Sequence, residues 1–236
     1  MAQNAGPIHT LFDWDETVQP GFTILTWSEY LCRKGMFDRE ALMVIQDLFY
    51  RSRQGEMKYE ELLSRSASIY GEGMEGQRVQ DVSSATTEFV DINSSQLYEF
   101  APRMFNHLDK LGIKTTVISG APVMVLEAYA QKYSIDQVFG LDIGVDSSGR
   151  FTKLVRENPG VIEQKASTLL KLPADARIYL AFGNSLSDLP LFKAAEVGIV
   201  INSKKELFPE CIRARLHCAT SESAENVALG LIERMI

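Results

Sequence analysis

The sequence predicts an α/β fold, a parallel sheet between two layers of helices with a helical segment inserted after the first strand. Three observations carry this expectation. Short apolar runs alternate with stretches of helical periodicity through the second half of the chain, and from Phe22 to Thr87 the helical spacing continues with no strong strand-like run. The notable polar residues fall repeatedly just after the apolar runs, where an open α/β sheet gathers its ligands.

Taken in order, His9 to Asp13 is a short apolar run ending in carboxylates, a buried strand with an acidic tip. Apolar residues then recur at helical spacing in Ile24–Leu31, Ala41–Tyr50 and Tyr59–Tyr70, punctuated by Gly35, Gly55 and the glycines of 71–76, and Val79–Val90 offers a further helix. Met104–Leu111 reads as a helix closed by Gly112, followed by a strand at Lys114–Ser119 and a helix at Val123–Lys132. Val138–Val145 and Arg150–Leu154 flank the turn Asp146-Ser147-Ser148-Gly149, the pattern of a β-hairpin or flap. A helix over Ile162–Leu170, a strand at Ile178–Phe182, a helix at Leu189–Ala195, a strand at Val197–Val200 and a helix at Ala224–Met235 complete the chain. Alternating strands and helices of this kind imply right-handed crossovers and a sheet covered on both faces.

Bulk properties narrow the function classes. At 236 residues, 45% hydrophobic and 23% charged, the chain has ordinary globular composition and suits one large domain or a core with an inserted subdomain. A net charge of −7 without a dense basic stripe argues against nucleic-acid binding. No apolar stretch approaches a membrane span, and residues 1–10 lack a secretory pattern. Three widely spaced cysteines, Cys32, Cys211 and Cys218, fit reduced thiols, so the expectation is a cytoplasmic protein with no membrane or nucleic-acid partner, a monomer or homodimer.

The strand tips bring distant residues to one place. Asp13 and Asp15 follow the first strand, Ser119-Gly120 the second, and Gly183-Asn184-Ser185 through Asp188 the strand at Ile178–Phe182. Each alone is weak, since an acidic pair, a Ser-Gly turn and a Gly-Asn-Ser loop all occur in ordinary turns. In this order the segments Leu11-Phe12-Asp13-Trp14-Asp15-Glu16-Thr17-Val18, Val117-Ile118-Ser119-Gly120, Gln164-Lys165-Ala166-Ser167-Thr168-Leu169 and Gly183-Asn184-Ser185-Leu186-Ser187-Asp188 resemble the four motifs of the haloacid dehalogenase superfamily. Within it the chain resembles the phosphoserine-phosphatase-like branch, subfamily I with a helical C1 cap. That resemblance covers nearly the whole chain and implies a Rossmann-like core at 1–19 and 95–236 with a helical cap at 20–94.

The resemblance also implies a chemistry: a Mg²⁺-dependent phosphomonoester hydrolase acting on a small phosphorylated metabolite through an aspartyl-phosphate. Phosphomonoesters hydrolyse very slowly unaided, and a carboxylate can serve as an in-line nucleophile once a hard cation offsets its repulsion from the phosphate. Asp13 would be the nucleophile and a metal ligand. Asp15 would give its main-chain carbonyl to the metal, while its side chain acts as general acid and base. Ser119 and the Gly120 amide would bind phosphoryl oxygens, Lys165 would supply positive charge, and Asn184 and Asp188 would complete the metal region. Thr17 would support the loop. Lys153 and Lys171 are competing candidates for the lysine, and Ser119 could instead cap the following helix.

Two departures from the family pattern bear on function. Asn184 stands where the family usually has a metal-binding Asp, which removes a negative charge while keeping an oxygen ligand. It is compatible with a functional variant site, with a metal held mainly by Asp188 through a shifted loop, or with a weakened, phosphate-binding protein. The charged cap positions that phosphoserine phosphatases use for their substrate align near Phe22 and Ser66, neither of them charged, with Arg65 adjacent. Phosphoserine is therefore disfavoured. Phe22, Trp27, Phe49, Tyr50 and Tyr59 are candidates for an apolar leaving-group pocket, Phe22 foremost, against the alternative that such aromatics form the cap's own core. Trp14 reads as packing, and Glu16 either lines the entrance or is solvated. A phosphotransferase of the same fold remains a second enzymatic reading.

Overall fold

The computed structural model describes residues 6–235. In chain order the elements are β1 (Ile8–Phe12), α1 (Thr23–Arg33), α2 (Arg39–Arg53), α3 (Tyr59–Met74), α4 (Val79–Asn93), α5 (Phe100–Lys110), β2 (Lys114–Pro122), α6 (Val123–Lys132), β3 (Gln137–Val145), β4 (Phe151–Glu157), α7 (Ile162–Thr168), β5 (Arg177–Gly183), α8 (Leu189–Ala194), β6 (Val197–Ile201), α9 (Glu210–Arg213), β7 (Leu216–Ala219) and α10 (Ala224–Met235). Short 3₁₀ turns join several of them. The strands form one sheet in the order β4-β3-β2-β1-β5-β6-β7, parallel throughout except where β3 and β4 pair antiparallel.

This order positions the site. β1 lies between β2 and β5, and the chain leaves β1 toward β2 on one side but reaches β5 on the other. The crevice where the order reverses therefore opens at the tip of β1, between the tips of β2 and β5. Phe12 and Phe182 stack across the β1–β5 pair with centroids 4.3 Å apart, and the Asp13 amide donates to the Phe182 carbonyl at 2.9 Å. The tip of β1 is thus held against the tip of β5.

The inserted helices follow from the apolar periodicity. In α1, Ile24, Trp27 and Leu31 are buried at the spacing of one helix face, and in α3 Leu62, Ser66, Tyr70 and Met74 are buried at four-residue intervals. Trp27 is fully buried, donating from Nε1 to the Tyr70 hydroxyl at 3.1 Å and packing edge-on against Phe89 of α4. Asp38 starts α2 by accepting the Ala41 amide at 2.8 Å. One apolar cluster runs from these helices into the sheet, including Trp27, Phe89, Phe12 and Val117.

The hairpin of β3 and β4 turns through Asp146–Gly149, where Asp146 accepts the amides of Ser148 and Arg150. It reaches the insertion by main-chain bonds: Gly76 donates to Phe151, Phe151 to Gln77, and Val79 to Gly149. Helix α3 lies so close to β4 that a Cβ on Gly71 would sit 2.6 Å from the Lys153 carbonyl oxygen.

Three boundaries differ from the sequence reading. Helix α5 begins at Phe100, because Pro102 falls in its first turn, where a missing amide costs nothing. Strand β2 continues past Ser119 to Pro122 with a register shift after Ile118. The edge strand β7 and short α9 were not foreseen; in β7 only Leu216 and Ala219 are buried, so the two-residue alternation that signals a strand is missing. Among the described residues no helix is long and apolar enough to cross a membrane.

Candidate active site

The turn after β1 is tight and repeatedly bonded. The Trp14 carbonyl accepts the amides of Thr17, Val18 and Gln19, and Trp14 itself is fully buried against Tyr129 with centroids 4.8 Å apart. Trp14 is therefore packing, as its bulk suggested. Glu16 adopts a left-handed backbone (φ 60°), and its carboxylate accepts the Gly21 amide at 2.8 Å. It fixes the link into α1. A non-glycine residue in that conformation is strained locally and persists only where its surroundings over-determine it.

Asp13 leaves this turn almost completely buried. One carboxylate oxygen, Oδ1, accepts from Lys165 Nζ at 2.9 Å, and Oδ2 accepts from the Thr17 hydroxyl at 3.2 Å. Lys165, in α7, is 1% exposed and also donates to Asp188 Oδ1 at 2.7 Å. A buried lysine bridging two buried carboxylates is a charged network that must be fully satisfied to persist. Burial opposes the lysine's charge, but Asp13 and Asp188 outweigh it and push its pKa above the ordinary value. The competing lysines lie elsewhere: Lys153 is exposed, and Lys171 is exposed in an ion pair with Glu157.

Asp188 is fully buried and heavily bonded. Its Oδ2 accepts the amides of Asn184 and Ser185, both at 2.9 Å, and the Ser185 hydroxyl at 3.2 Å, forming a capping box with Ser185. With Lys165 on Oδ1, its carboxylate is committed to shaping the loop after β5. The Thr17 hydroxyl, which donates to Asp13 Oδ2 at 3.2 Å, also lies 3.4 Å from Asn184 Oδ1, so one side chain reaches both oxygens.

Asp15 is half-buried, and its Oδ1 accepts both the amide and the hydroxyl of Thr23, at 2.9 and 2.5 Å. Burial pushes its pKa from 3.8 up to about 7, with the Thr23 bonds opposing the rise. Asp13 is also raised, to about 6, by burial and by the Asp188 charge, against the pull of Lys165. Burial thus raises both carboxyl groups, and Asp15, which has no cation bonded to it, is the candidate to hold a proton near neutral pH.

At the tip of β2 Ser119 is buried, its Oγ accepting the Ala121 amide at 3.2 Å; Pro122, not Ser119, is the residue that opens α6. Gly120 faces Gly160 so closely that a Cβ on it would lie 3.0 Å from the Gly160 Cα. A side chain at either position would push these two loops apart.

One cavity of about 30 Å³ is lined from the core by Asp13, Asp15, Ser119, Gly120 and Lys165 and from the insertion by Phe22, Phe49, Tyr59 and Ser66, whereas Thr17, Asn184 and Asp188 do not line it. Of the aromatic candidates, Phe22, Phe49 and Tyr59 reach it. Trp27 instead forms the interior of the inserted helices, and Tyr50 is 61% exposed. Arg65 is exposed, paired with Glu61. Among the polar lining or supporting side chains not foreseen are Thr23, which binds Asp15; Ser187; and Asn158, whose Nδ2 donates to the Leu63 carbonyl in α3 while its Oδ1 accepts the Gly160 amide. Asn158 is silent in sequence because a lone Asn-Pro reads as an ordinary turn.

Comparison with known proteins shows the family and the fold. The family model described as haloacid dehalogenase-like hydrolase matches residues 10–193. The chain is similar to a histidinol-phosphatase of Neisseria meningitidis serogroup C (strain 8013), 21% identical over 209 residues that cover 85% of this chain and 92% of the relative. Among solved structures, a protein of unknown function from Bordetella pertussis Tohama I superposes with a TM-score of 0.70 at 20% identity, covering 91% of this chain and 99% of that one. A substrate-bound phosphoserine phosphatase superposes with a TM-score of 0.63 at 16% identity, covering 97% and 99%. The structural likenesses show the shared fold, the family match spans most of the chain, and the protein belongs to the haloacid dehalogenase-like hydrolases.

Proposed function

We propose that the protein is a phosphomonoester hydrolase of a small phosphorylated metabolite, working through an aspartyl-phosphate on Asp13 with Mg²⁺ as cofactor. The observation that carries this reading is the pairing of Asp13, held by Lys165, with an Asp15 whose pKa is raised to about 7 in the same closed cavity. Haloalkanoate chemistry has no use for that second, proton-holding carboxyl.

In this reading the Asp13 carboxylate attacks phosphorus in line with the leaving oxygen, and Asp15 donates its proton to that oxygen as the ester bond breaks. Asp15, now ionised, then takes a proton from the water that cleaves the aspartyl-phosphate. Lys165 offsets the charge that builds on the phosphoryl oxygens, and Ser119 with the Gly120 amide binds them. Thr17 and Thr23 position Asp13 and Asp15 respectively. Residues 20–94 act as a cap that excludes water, with Phe22 against the leaving group.

Phosphatases of this family in general use Mg²⁺. The donor set suits that ion: the Asp13 carboxylate, the Asp15 main-chain carbonyl and Asn184 Oδ1 are all hard oxygen ligands, and the Thr17 hydroxyl lies within 3.2 Å of Asp13 Oδ2 and 3.4 Å of Asn184 Oδ1. Asp188 contributes by holding that loop in place. When bound, the cation supplies charge neutralisation between nucleophile and phosphate.

A second reading, a protein that binds phosphate without turning it over, is favoured by one observation. Asn184 stands where the family usually has a carboxylate, which removes a negative charge from the proposed donor set and weakens its hold on a cation. Phosphate release from a panel of phosphorylated metabolites, with and without Mg²⁺, tests both. Turnover that vanishes in Asp13→Asn, with the fold intact by circular dichroism, supports the hydrolase. Full activity in Asp13→Asn refutes the mechanism, and tight vanadate binding without turnover at saturating Mg²⁺ selects the second reading. Adding an acceptor alcohol reveals phosphotransfer if alkyl phosphate accumulates.

A further inference from the structure

Beyond Asp13, Asp15 and Lys165 the cavity walls carry no ionisable carboxylate, ammonium or guanidinium group among the described lining residues. Resting on the phosphomonoesterase reading, we propose that this site takes esters of uncharged alcohols and selects against leaving groups that carry a carboxylate or an ammonium.

The walls facing the leaving group are Phe22, Ile24, Phe49, Leu63, Ala67 and Leu141. An ionised group brought among them loses its hydration and gains no counter-ion, which is strongly unfavourable. The lone cation, Lys165, already sits between Asp13 and Asp188 at 2.9 and 2.7 Å and lies at the phosphoryl end. A carboxylate on the leaving group would in addition meet the negative field of Asp13 and Asp188. An ammonium fares better in that field, but none of the cavity-lining residues from the inserted helices is a carboxylate. Nor does it find an aromatic cage, because Phe22 and Phe49 pack on each other with centroids 4.7 Å apart and form a wall.

The remaining polar groups are neutral, and most are already engaged. Ser66 Oγ and Asn158 Nδ2 both donate to the Leu63 carbonyl, at 3.3 and 3.1 Å, and Asn158 Oδ1 accepts from Gly160. Tyr59 lines the cavity, and burial together with the carboxylates of Asp13, Asp188 and Asp15 keeps its phenol protonated. What is left to offer a substrate is a hydroxyl and one amide N–H, which suit an alcohol and cannot neutralise a charge.

The test is a kcat/KM comparison on the intact protein with Mg²⁺, using propyl phosphate, phosphoethanolamine, phosphoserine and phosphoglycolate, with acetyl phosphate as a control for the chemistry. Acetate departs without needing a proton and is too short to depend on the far walls. The expected result is a preference of about 30-fold or more, near 2 kcal/mol, for propyl phosphate over each charged ester, with phosphoglycolate poorest. If acetyl phosphate is hydrolysed and any charged ester matches or exceeds propyl phosphate, the inference is overturned while the phosphatase reading stands. If neither acetyl phosphate nor any ester is hydrolysed, the phosphatase reading falls and the inference falls with it.

Discussion

Replacing Asp15 with Asn separates the electrostatic strain of the site from its chemistry. In the folded protein Asp15 titrates at about 7, raised by burial, whereas in an unfolded chain an aspartate titrates near 3.9. Between those values the folded state holds a proton that the unfolded state has lost, so this residue's contribution to stability falls as pH rises through the window. From pH 8 down to pH 5 the folded group gains about two units of protonation free energy at ~1.36 kcal/mol each, an upper bound of about 2.7 kcal/mol. Its partial exposure roughly halves that, to about 1–1.5 kcal/mol.

Asn is close in shape and keeps an oxygen for the two Thr23 donors, which reach Oδ1 at 2.9 and 2.5 Å. It carries no charge, so the pH-dependent part disappears. Metal-free Asp15→Asn should therefore gain on wild type by about 1–1.5 kcal/mol more at pH 8 than at pH 5. Urea unfolding in the presence of chelator, at both pH values, measures that double difference. An equal stability gap at the two pH values refutes the assignment of a buried, proton-holding Asp15. The same variant should lose turnover of alkyl phosphates by about 10²–10⁴-fold, the usual worth of a general acid.

Other outcomes follow from the same geometry. With an aryl ester, whose leaving group needs no proton, the alkaline limb near pH 7 that Asp15 imposes on alkyl esters (about 7) should weaken or vanish in the first chemical step; identical limbs in single-turnover profiles of both esters count against Asp15 as the acid. Ionisation of Asp13 should set an acid limb at or below about 6, moving lower as Mg²⁺ is added. Asn184→Asp adds a carboxylate beside Asp13 and should tighten Mg²⁺ about tenfold in a titration while lowering the Tm of the metal-free protein, and an unchanged metal dependence excludes Asn184 as a ligand. Gly71→Ala sets a Cβ 2.6 Å from the Lys153 carbonyl oxygen and should destabilise by about 1–3 kcal/mol in thermal unfolding; no change in Tm would mean that α3 does not press on β4 in solution.

The periodic parts of this fold were legible because burial leaves a repeat. Ile24, Trp27 and Leu31 sit on one helix face in the sequence and in the structure, and the apolar runs at β1, β2 and β5 are strands flanked on both faces. β7 was not legible, since an edge strand with two exposed central residues has no repeat to read. At the site, Asp13, Ser119, Lys165 and Asp188 stood out because a strand-tip position and a motif order single them out. Thr23 and Asn158 did not, because their importance lies in whom they bond: Thr23 reaches back to Asp15, and Asn158 reaches across to Leu63. Such partners are fixed by tertiary approach, which no local pattern encodes. Lys165 marks the same limit from the other side. Three lysines competed for its role in sequence, and only tertiary approach sets Lys165 of α7, 2.9 Å from Asp13 and 2.7 Å from Asp188, apart from the others.

The joint between the inserted helices and the sheet is uneven, and this bears on how the acid is tuned. Away from the site the insertion is pinned by main-chain bonds from Gly76, Gln77 and Val79 to the β3–β4 hairpin. Beside the cavity a side-chain bond, Asn158 to Leu63, spans the gap. A cavity of about 30 Å³ leaves room for a water or two, and on the proposed reading a phosphate ester would be admitted by parting of this side. Parting it would hydrate Asp15, and since burial is the first cause of its raised pKa, the carboxyl would return toward ordinary acidity and release its proton near neutral pH. Closing would restore both the burial and the proton. On the proposed mechanism the acid would therefore be armed by the closure that excludes water, and a substrate that held the helices shut would also supply the protonated Asp15 on which its own leaving group depends.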